Sequence, residues 1–214
     1  MKITVMGGTG YAGEAIVREA ISRGHVVASF SRSLPQAPVT GVQYSMGNAL
    51  VTADLTKSSQ NSEVIVAALS PRGELHGNIG TIYAELATIA NETGARFMVV
   101  GGFSTLRSAT DKPSFIDAGE VPTAYAAEAR ELADVFAWLK TNAPSSLDWI
   151  YMSPAAEFSA YNPGTPQGKY RTAGEVAIFD TDGRSTLSGA DFALAVVNEI
   201  ERPTLHNSII SFAY

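Results

Sequence analysis

The chain has 214 residues, 45% of them hydrophobic, a formal charge of −6 and no cysteine. That length suits a single domain with a sizeable core, and an acidic balance without a basic run speaks against nucleic acid or an anionic membrane surface as partner. Without cysteine there is no disulfide, thiol nucleophile or thiolate metal site; no apolar run reaches the roughly 18 residues of a bilayer span, and glycines from residue 7 onward interrupt any signal pattern, so a cytoplasmic protein is expected.

The first apolar run, "KITVM" (2–6), is β-rich and stops at glycine. Residues 11–23 then place Ala12, Ile16, Val17, Ala20 and Ile21 on one helical face. "HVVASF" (25–30) predicts a second buried strand, "GVQYSM" (41–46) a weaker third and "SEVIVAAL" (62–69) a fourth, stopped by Ser70 and Pro71. Ile82, Leu86 and Ile89 mark a helix before a fifth strand, "ARFMVVGG" (95–102). Tyr125, Ala129, Leu132, Phe136 and Leu139 step by four, three, four and three, which predicts a helix over about 123–140. "LDWIYM" (147–152) is a sixth strand. Strands that are continuously apolar and alternate with helices imply a parallel sheet covered on both faces.

After residue 152 the rhythm breaks. "SAYNPGTPQGKYRTAG" (159–174) reads as loop, and Ser188 with Asp191 resembles a capping box for a helix carrying Phe192, Val196 and Ile200. "SIISFAY" (208–214) is a final strand. The expected architecture is one α/β domain over 1–214: a Rossmann-type doubly wound parallel sheet of strand order 3-2-1-4-5-6, with 153–214 forming a small C-terminal cap on the substrate side. Residues 105–122 have weak periodicity and are expected to form a mobile lid.

The turn after the first strand, "GGTGYAG", fits a dinucleotide fingerprint at Gly8, Gly10 and Gly13, and a wider-spaced form at Gly7, Gly10 and Gly13. Glycine permits the tight turn and lets backbone approach a pyrophosphate, and the helix that follows aims free N–H groups at the phosphates. Gly7, Thr9, Gly10, Tyr11 and Ala12 are therefore the candidate phosphate cradle. An NAD-selective site usually places an acid at the end of the second strand, yet no Asp or Glu occurs between Glu19 and Asp54. Arg32 stands there between Ser31 and Ser33, and a guanidinium with hydroxyls suits a 2′-phosphate, so NADP(H) is expected over NAD(H). Ligands of open α/β sheets bind at the carboxyl ends of strands. That adds Asn48 and Ala49, Ala68, Leu69 and Ser70, Gly102 and Ser104, and Pro154 to the crevice.

"GGTGYAG", "SRS", "VIVAALSP", "VVGGFSTL", "LDWIYMSPA", "GKYR" and "SGADFALAVVNEIERP" together resemble the NAD(P)H-binding atypical short-chain dehydrogenase/reductases over nearly the whole chain. The nearest branch is that of the NADH-flavin reductases, related to the biliverdin reductase B group and more distantly to NmrA-like sensors. The resemblance implies a monomeric or dimeric Rossmann protein with its nicotinamide cofactor at these loops. It also implies a serine near the nicotinamide, which falls on Ser104. The histidine that the mammalian relatives carry after the sixth-strand proline falls on Ala155, which argues against a tetrapyrrole substrate.

The Tyr-x-x-x-Lys pair of typical short-chain dehydrogenases is missing: Tyr125 is followed four residues on by Ala129. An unassisted phenol, with a pKa near ~10, is poorly matched to proton transfer at neutral pH. Hydride transfer to a flavin or quinone asks less, because the acceptor ring is its own electron sink. The expected function is an NADPH-dependent reductase of a small planar acceptor, with FMN or FAD as substrate rather than prosthetic group. Ser104 and Tyr125 are the candidate catalytic residues. The alternative is a non-catalytic NADP(H)-binding redox sensor. His25, His76 and His206 are scattered without metal-ligand spacing, there is no G-x-S-x-G, and no metal is expected. Tyr161 and Tyr170, with Phe158, are expected to form an aromatic wall for the acceptor.

Overall fold

In a computed structural model covering residues 1–214, eight strands form one sheet in the order β3-β2-β1-β4-β5-β6-β8-β7. β1 (Lys2–Met6), β2 (Val26–Ser31), β3 (Gln43–Met46), β4 (Val64–Ala67), β5 (Arg96–Val100), β6 (Trp149–Ser153) and β8 (Ser208–Ala213) all run parallel. Only β7 (Arg171–Ala173), on the far edge, is antiparallel. The predicted order of the first six strands is thus observed, and the sheet continues beyond it.

Side chains alternate between two covered faces, which is why the strand sequences are apolar throughout. Ile3, Val5, Val64, Val66, Met98 and Ile150 point to one side and pack on α1 (Tyr11–Ser22) and α5 (Gly189–Glu201). Met6, Ile65, Ala67, Phe97 and Val99 point to the other, against α2 (Thr52–Ser58), α3 (Ile79–Thr93) and α4 (Thr123–Asn142). α5 begins as its capping signal predicts: the Ser188 hydroxyl accepts the Asp191 N–H at 3.0 Å. α2 was not evident in the sequence; it has seven residues and buries only Leu55.

The C-terminal segment is less a cap than a continuation of the fold. β8 joins β6 in parallel and α5 packs beside α1 on the same face. Within the connection 154–188, which includes β7, the stretch 163–168 lies against the starts of α1 and α5. It is held there by the buried Asp191 carboxylate, which accepts the N–H of Gln167 at 2.6 Å and of Gly168 at 2.9 Å, and the hydroxyls of Ser188 and Tyr214. Burial pushes this carboxyl up, but the donors converging on it outweigh burial and hold it below the usual carboxylate range.

At the opposite end of the sheet lies a buried charge pair. Arg96, at the start of β5, donates to Glu199 Oε1 at 2.9 Å and to the carbonyls of Glu199 and Leu205. Burial again opposes ionisation of Glu199, yet the Thr204 hydroxyl and N–H, together with Arg96, draw its carboxyl below the ordinary value. A carboxyl depressed on folding stabilises the protein above its unfolded pKa of about 4.3, and that contribution fades as pH falls through the folded value. Glu199→Gln should therefore cost roughly 3 kcal/mol at neutral pH, since it removes the buried one of the two carboxylates paired with the Arg96 guanidinium and leaves only the more exposed Asp148 at 3.3 Å. Denaturant titrations from neutral pH down to about pH 3 should show the gap to wild type narrowing with acid. An unchanged stability in the variant would contradict this role.

Candidate functional site

The turn from β1 into α1 is set by steric contact. Gly7 adopts φ +84°, a left-handed conformation that favours glycine, and its N–H bonds the Phe30 carbonyl at 2.8 Å. A Cβ at Gly13 would overlap the Gly7 carbonyl, and one at Gly7 would overlap the Ala68 carbonyl. These two glycines let helix, turn and the end of β4 close on one another. Gly10 is different: a Cβ there would meet nothing closer than the Gly7 carbonyl at 3.3 Å. The steric demand for glycine at 10 is therefore milder than at 7 or 13, a tight contact rather than an overlap.

The N-terminus of α1 is open. No side chain caps it, and the N–H groups of Thr9, Tyr11 and Ala12 make no hydrogen bond within the chain. Unpaired amides at the positive end of a helix suit a diphosphate. The Tyr11 side chain is committed elsewhere: its hydroxyl donates to the Pro163 carbonyl at 3.1 Å and accepts the Gly189 N–H at 2.9 Å. Tyr11 thus offers its backbone to a ligand while its ring ties α1 to the start of α5.

The other predicted cofactor residues gather at the same edge, several through backbone alone. The Ser31 hydroxyl is spent on the Ser33 carbonyl at 2.8 Å, so it shapes the Arg32 turn rather than standing free beside it. Arg32 is exposed, with Glu74 as its ionic neighbour at 3.8 Å. Asn48 forms a local turn through the Leu50 N–H, and the Ala49 side chain is buried in the core. Exposed Leu50 and Val51 follow them, an apolar platform beside the β2 and β3 ends that the sequence reading did not single out.

Two fully buried phenols hold the next two strand-end loops. Tyr83, on α3, accepts the Leu69 N–H at 3.1 Å and donates to the Leu69 carbonyl at 2.8 Å, fixing the turn of Ala68, Leu69 and Ser70. Tyr151, on β6, accepts the Gly102 N–H at 3.3 Å, lies 3.1 Å from the Thr105 hydroxyl and donates to the Leu132 carbonyl at 2.9 Å. It shapes the short turn that carries Ser104. Burial raises both phenols; that of Tyr151 is pushed up to about 12 despite the bonds from Thr105 and Gly102. Both therefore stay protonated at neutral pH and act as scaffold. The Ser104 hydroxyl, half-buried, makes no hydrogen bond within the chain, and Pro154 is buried just after the end of β6.

Two expectations are corrected. Residues 105–122 are fastened rather than free. Arg107 bridges to Ser114 and to Val176, its guanidinium pairs with Glu175 at 2.5 Å, and Arg130 of α4 holds Asp117 at 2.7 Å. The segment is a fixed wall, with Phe103 stacked on Phe115 at 4.9 Å. The aromatic wall does not form either. Phe158 packs between Tyr11 and Phe192, and Tyr170 packs on Phe212 while its hydroxyl accepts from Asn198, so both cover the α5 face of the sheet. Only Tyr161 projects outward, 95% exposed. Tyr125 lies on the first turn of α4, 60% exposed, with a hydroxyl that bonds nothing in the chain.

Strand order, glycine turn and open helix end define a Rossmann-type dinucleotide-binding protein. A family model described as NAD(P)H-binding matches residues 7–203, and the chain belongs to that family. It is 29% identical to the protein YwnB of Bacillus subtilis (strain 168) over 209 residues, covering 97% of this chain and 95% of that one. The crystal structure of a "putative exported protein" from Burkholderia pseudomallei is 32% identical, with a TM-score of 0.86 and full coverage of both chains. That of a "putative NADH-flavin reductase" from Streptococcus pneumoniae is 27% identical, with a TM-score of 0.83, covering 100% of this chain and 99% of that one. These matches agree with the resemblance to the atypical short-chain dehydrogenase/reductases. No helix is long and apolar enough to cross a membrane.

The two kinds of glycine separate in a simple comparison. Gly13→Ala should destabilise the fold by about 1–3 kcal/mol, because the added methyl forces α1 off β1. Gly10→Ala, whose methyl meets only the Gly7 carbonyl at 3.3 Å, should lose less stability than Gly13→Ala; if the open amides beside it seat a diphosphate, it should also lose at least tenfold in dinucleotide affinity, about 1.4 kcal/mol or more. Thermal melts paired with calorimetric titration read both effects. Wild-type affinity in Gly10→Ala would count against a diphosphate seat there.

Proposed function

We propose that the protein is an NADPH-dependent reductase that passes a hydride to a flavin, a quinone or a similar planar acceptor, which enters as substrate. The observation that carries this reading is the open amide set of Thr9, Tyr11 and Ala12 at a crevice whose farther walls are small. In this reading those amides hold the diphosphate, Arg32 takes the 2′-phosphate, and Leu50 and Val51 face the adenine. The bound nicotinamide supplies the hydride. The free Ser104 hydroxyl donates to the carboxamide or to the acceptor, on a turn fixed by Tyr151. Tyr125 contributes a wall of the acceptor pocket rather than a proton, since the residue four positions on is buried Ala129 and no lysine assists it. An acceptor that takes its proton from water fits such a site better than a carbonyl does.

The similarity to the streptococcal protein, by its printed name a reductase of flavin, supports the acceptor class. A cytoplasmic location and a monomeric or homodimeric state belong to the same proposal. The test is steady-state NADPH oxidation with FMN, riboflavin and small quinones, repeated with Ser104→Ala. Turnover with at least one planar acceptor is expected, with kcat about tenfold lower in the variant for one lost hydrogen bond. Tight dinucleotide binding without turnover across the panel would instead favour the redox-sensor reading. Unchanged turnover in Ser104→Ala would reduce Ser104 to scaffold.

A further inference from the structure

The sequence has no acid at the carboxyl end of β2, where a ribose-binding carboxylate would stand, but the fold brings one from elsewhere to the tip of the Arg32 side chain. Glu74, in the loop after β4, places its carboxylate 3.8 Å from the Arg32 guanidinium. β1 lies between β2 and β4 in the sheet, so the pair reaches across the cleft mouth above the glycine turn. The two side chains are 64% and 69% exposed, and an ion pair of that kind is weak enough to be exchanged for a ligand.

The loop that presents Glu74 is braced. On its far side, Arg72 Nε donates to Glu128 Oε2 at 2.8 Å, and Glu131 Oε1 accepts the Gly77 N–H at 2.9 Å and pairs with His76 Nδ1 at 2.6 Å. Leu75 is buried beneath it, and Tyr83 fixes its start at Leu69. With both flanks tied to α4 and to the core, the loop holds Glu74 out toward β2.

We propose that Glu74 is a specificity-determining residue for the dinucleotide, its carboxylate standing in space for the acid that β2 lacks in sequence. A carboxylate there accepts a hydrogen bond from the ribose 2′-hydroxyl of NADH. Toward NADPH it acts oppositely, repelling the 2′-phosphate and competing for Arg32. The inference rests on Arg32 as the 2′-phosphate anchor, and it implies that both dinucleotides bind, with the NADPH preference blunted by Glu74.

The test is equilibrium titration of NADPH and NADH into wild type, Glu74→Gln, Arg32→Ala and the double variant, at low and at high salt. Glu74→Gln should bind NADPH about fivefold tighter and NADH about threefold weaker, shifts in the range of a single exposed charge contact. The NADPH gain should shrink at high salt and in the Arg32→Ala background. A thermal midpoint matching wild type shows that the exposed substitution leaves the fold intact. If Arg32→Ala abolishes the NADPH preference while Glu74→Gln moves neither affinity, this inference is wrong and Arg32 keeps its role. If Arg32→Ala leaves the preference unchanged, the 2′-phosphate anchor and this inference both fall.

Discussion

The site depends on how closely α1 approaches β1. Gly13 lies against the Gly7 carbonyl and Gly7 against the Ala68 carbonyl, at separations that no side chain would permit. That contact sets where α1 starts and which way its first turn faces, at the carboxyl edge of the central strands. The amides of Thr9, Tyr11 and Ala12 are left unpaired as a consequence, since no upstream residue is placed to accept them and no side chain caps the end. A helix end normally finds such partners within the protein. Of the two helices on the α1 face, α5 does, through Ser188, while α1, like α2, α3 and α4 on the other face, has no side-chain cap. The two helices lie side by side on one face of the sheet, so the difference is local and chemical rather than imposed by burial.

Around that open end the crevice is held rigid by groups with no access to ligand. Tyr83 and Tyr151 each spend a hydroxyl on a strand-end turn, and their burial keeps them protonated and fixed. Asp191 does the same for the connection 163–168, gathering two backbone amides and two hydroxyls. Interior polar groups are costly unless every partner is met, and here they are met by loop backbone.

Much of the fold was legible in the sequence because both covered faces leave a strong signal. Continuous apolar strands, a helix at 123–140 with its four-three stepping and the Ser188–Asp191 cap all appear where the residues place them. α2 was not legible because a seven-residue helix with one buried side chain has no period to read, and β7 because its three residues are mostly exposed. The segment 105–122 looked unstructured because its order comes from partners distant in sequence, Val176, Glu175 and Arg130. Phe158 and Tyr170 sit in loop sequence, and only the packing of α5 shows that they cover the sheet rather than line the crevice. The glycine turn was read fully from spacing, whereas the meeting of Glu74 with Arg32 spans 42 positions and carries no local pattern.

The electrostatic picture follows from the same geometry. Partial positive charge at the α1 terminus and the Arg32 guanidinium both lie at the carboxyl edge of a protein that is acidic overall, so that edge carries charge suited to an anion. The most direct measurement is the amide spectrum of nitrogen-15-labelled protein during titration with NADPH. Saturable shifts concentrated at Thr9, Tyr11 and Ala12 are the expected result. Saturating NADPH and NADH that leave those three amides unmoved would contradict a diphosphate seat at the start of α1.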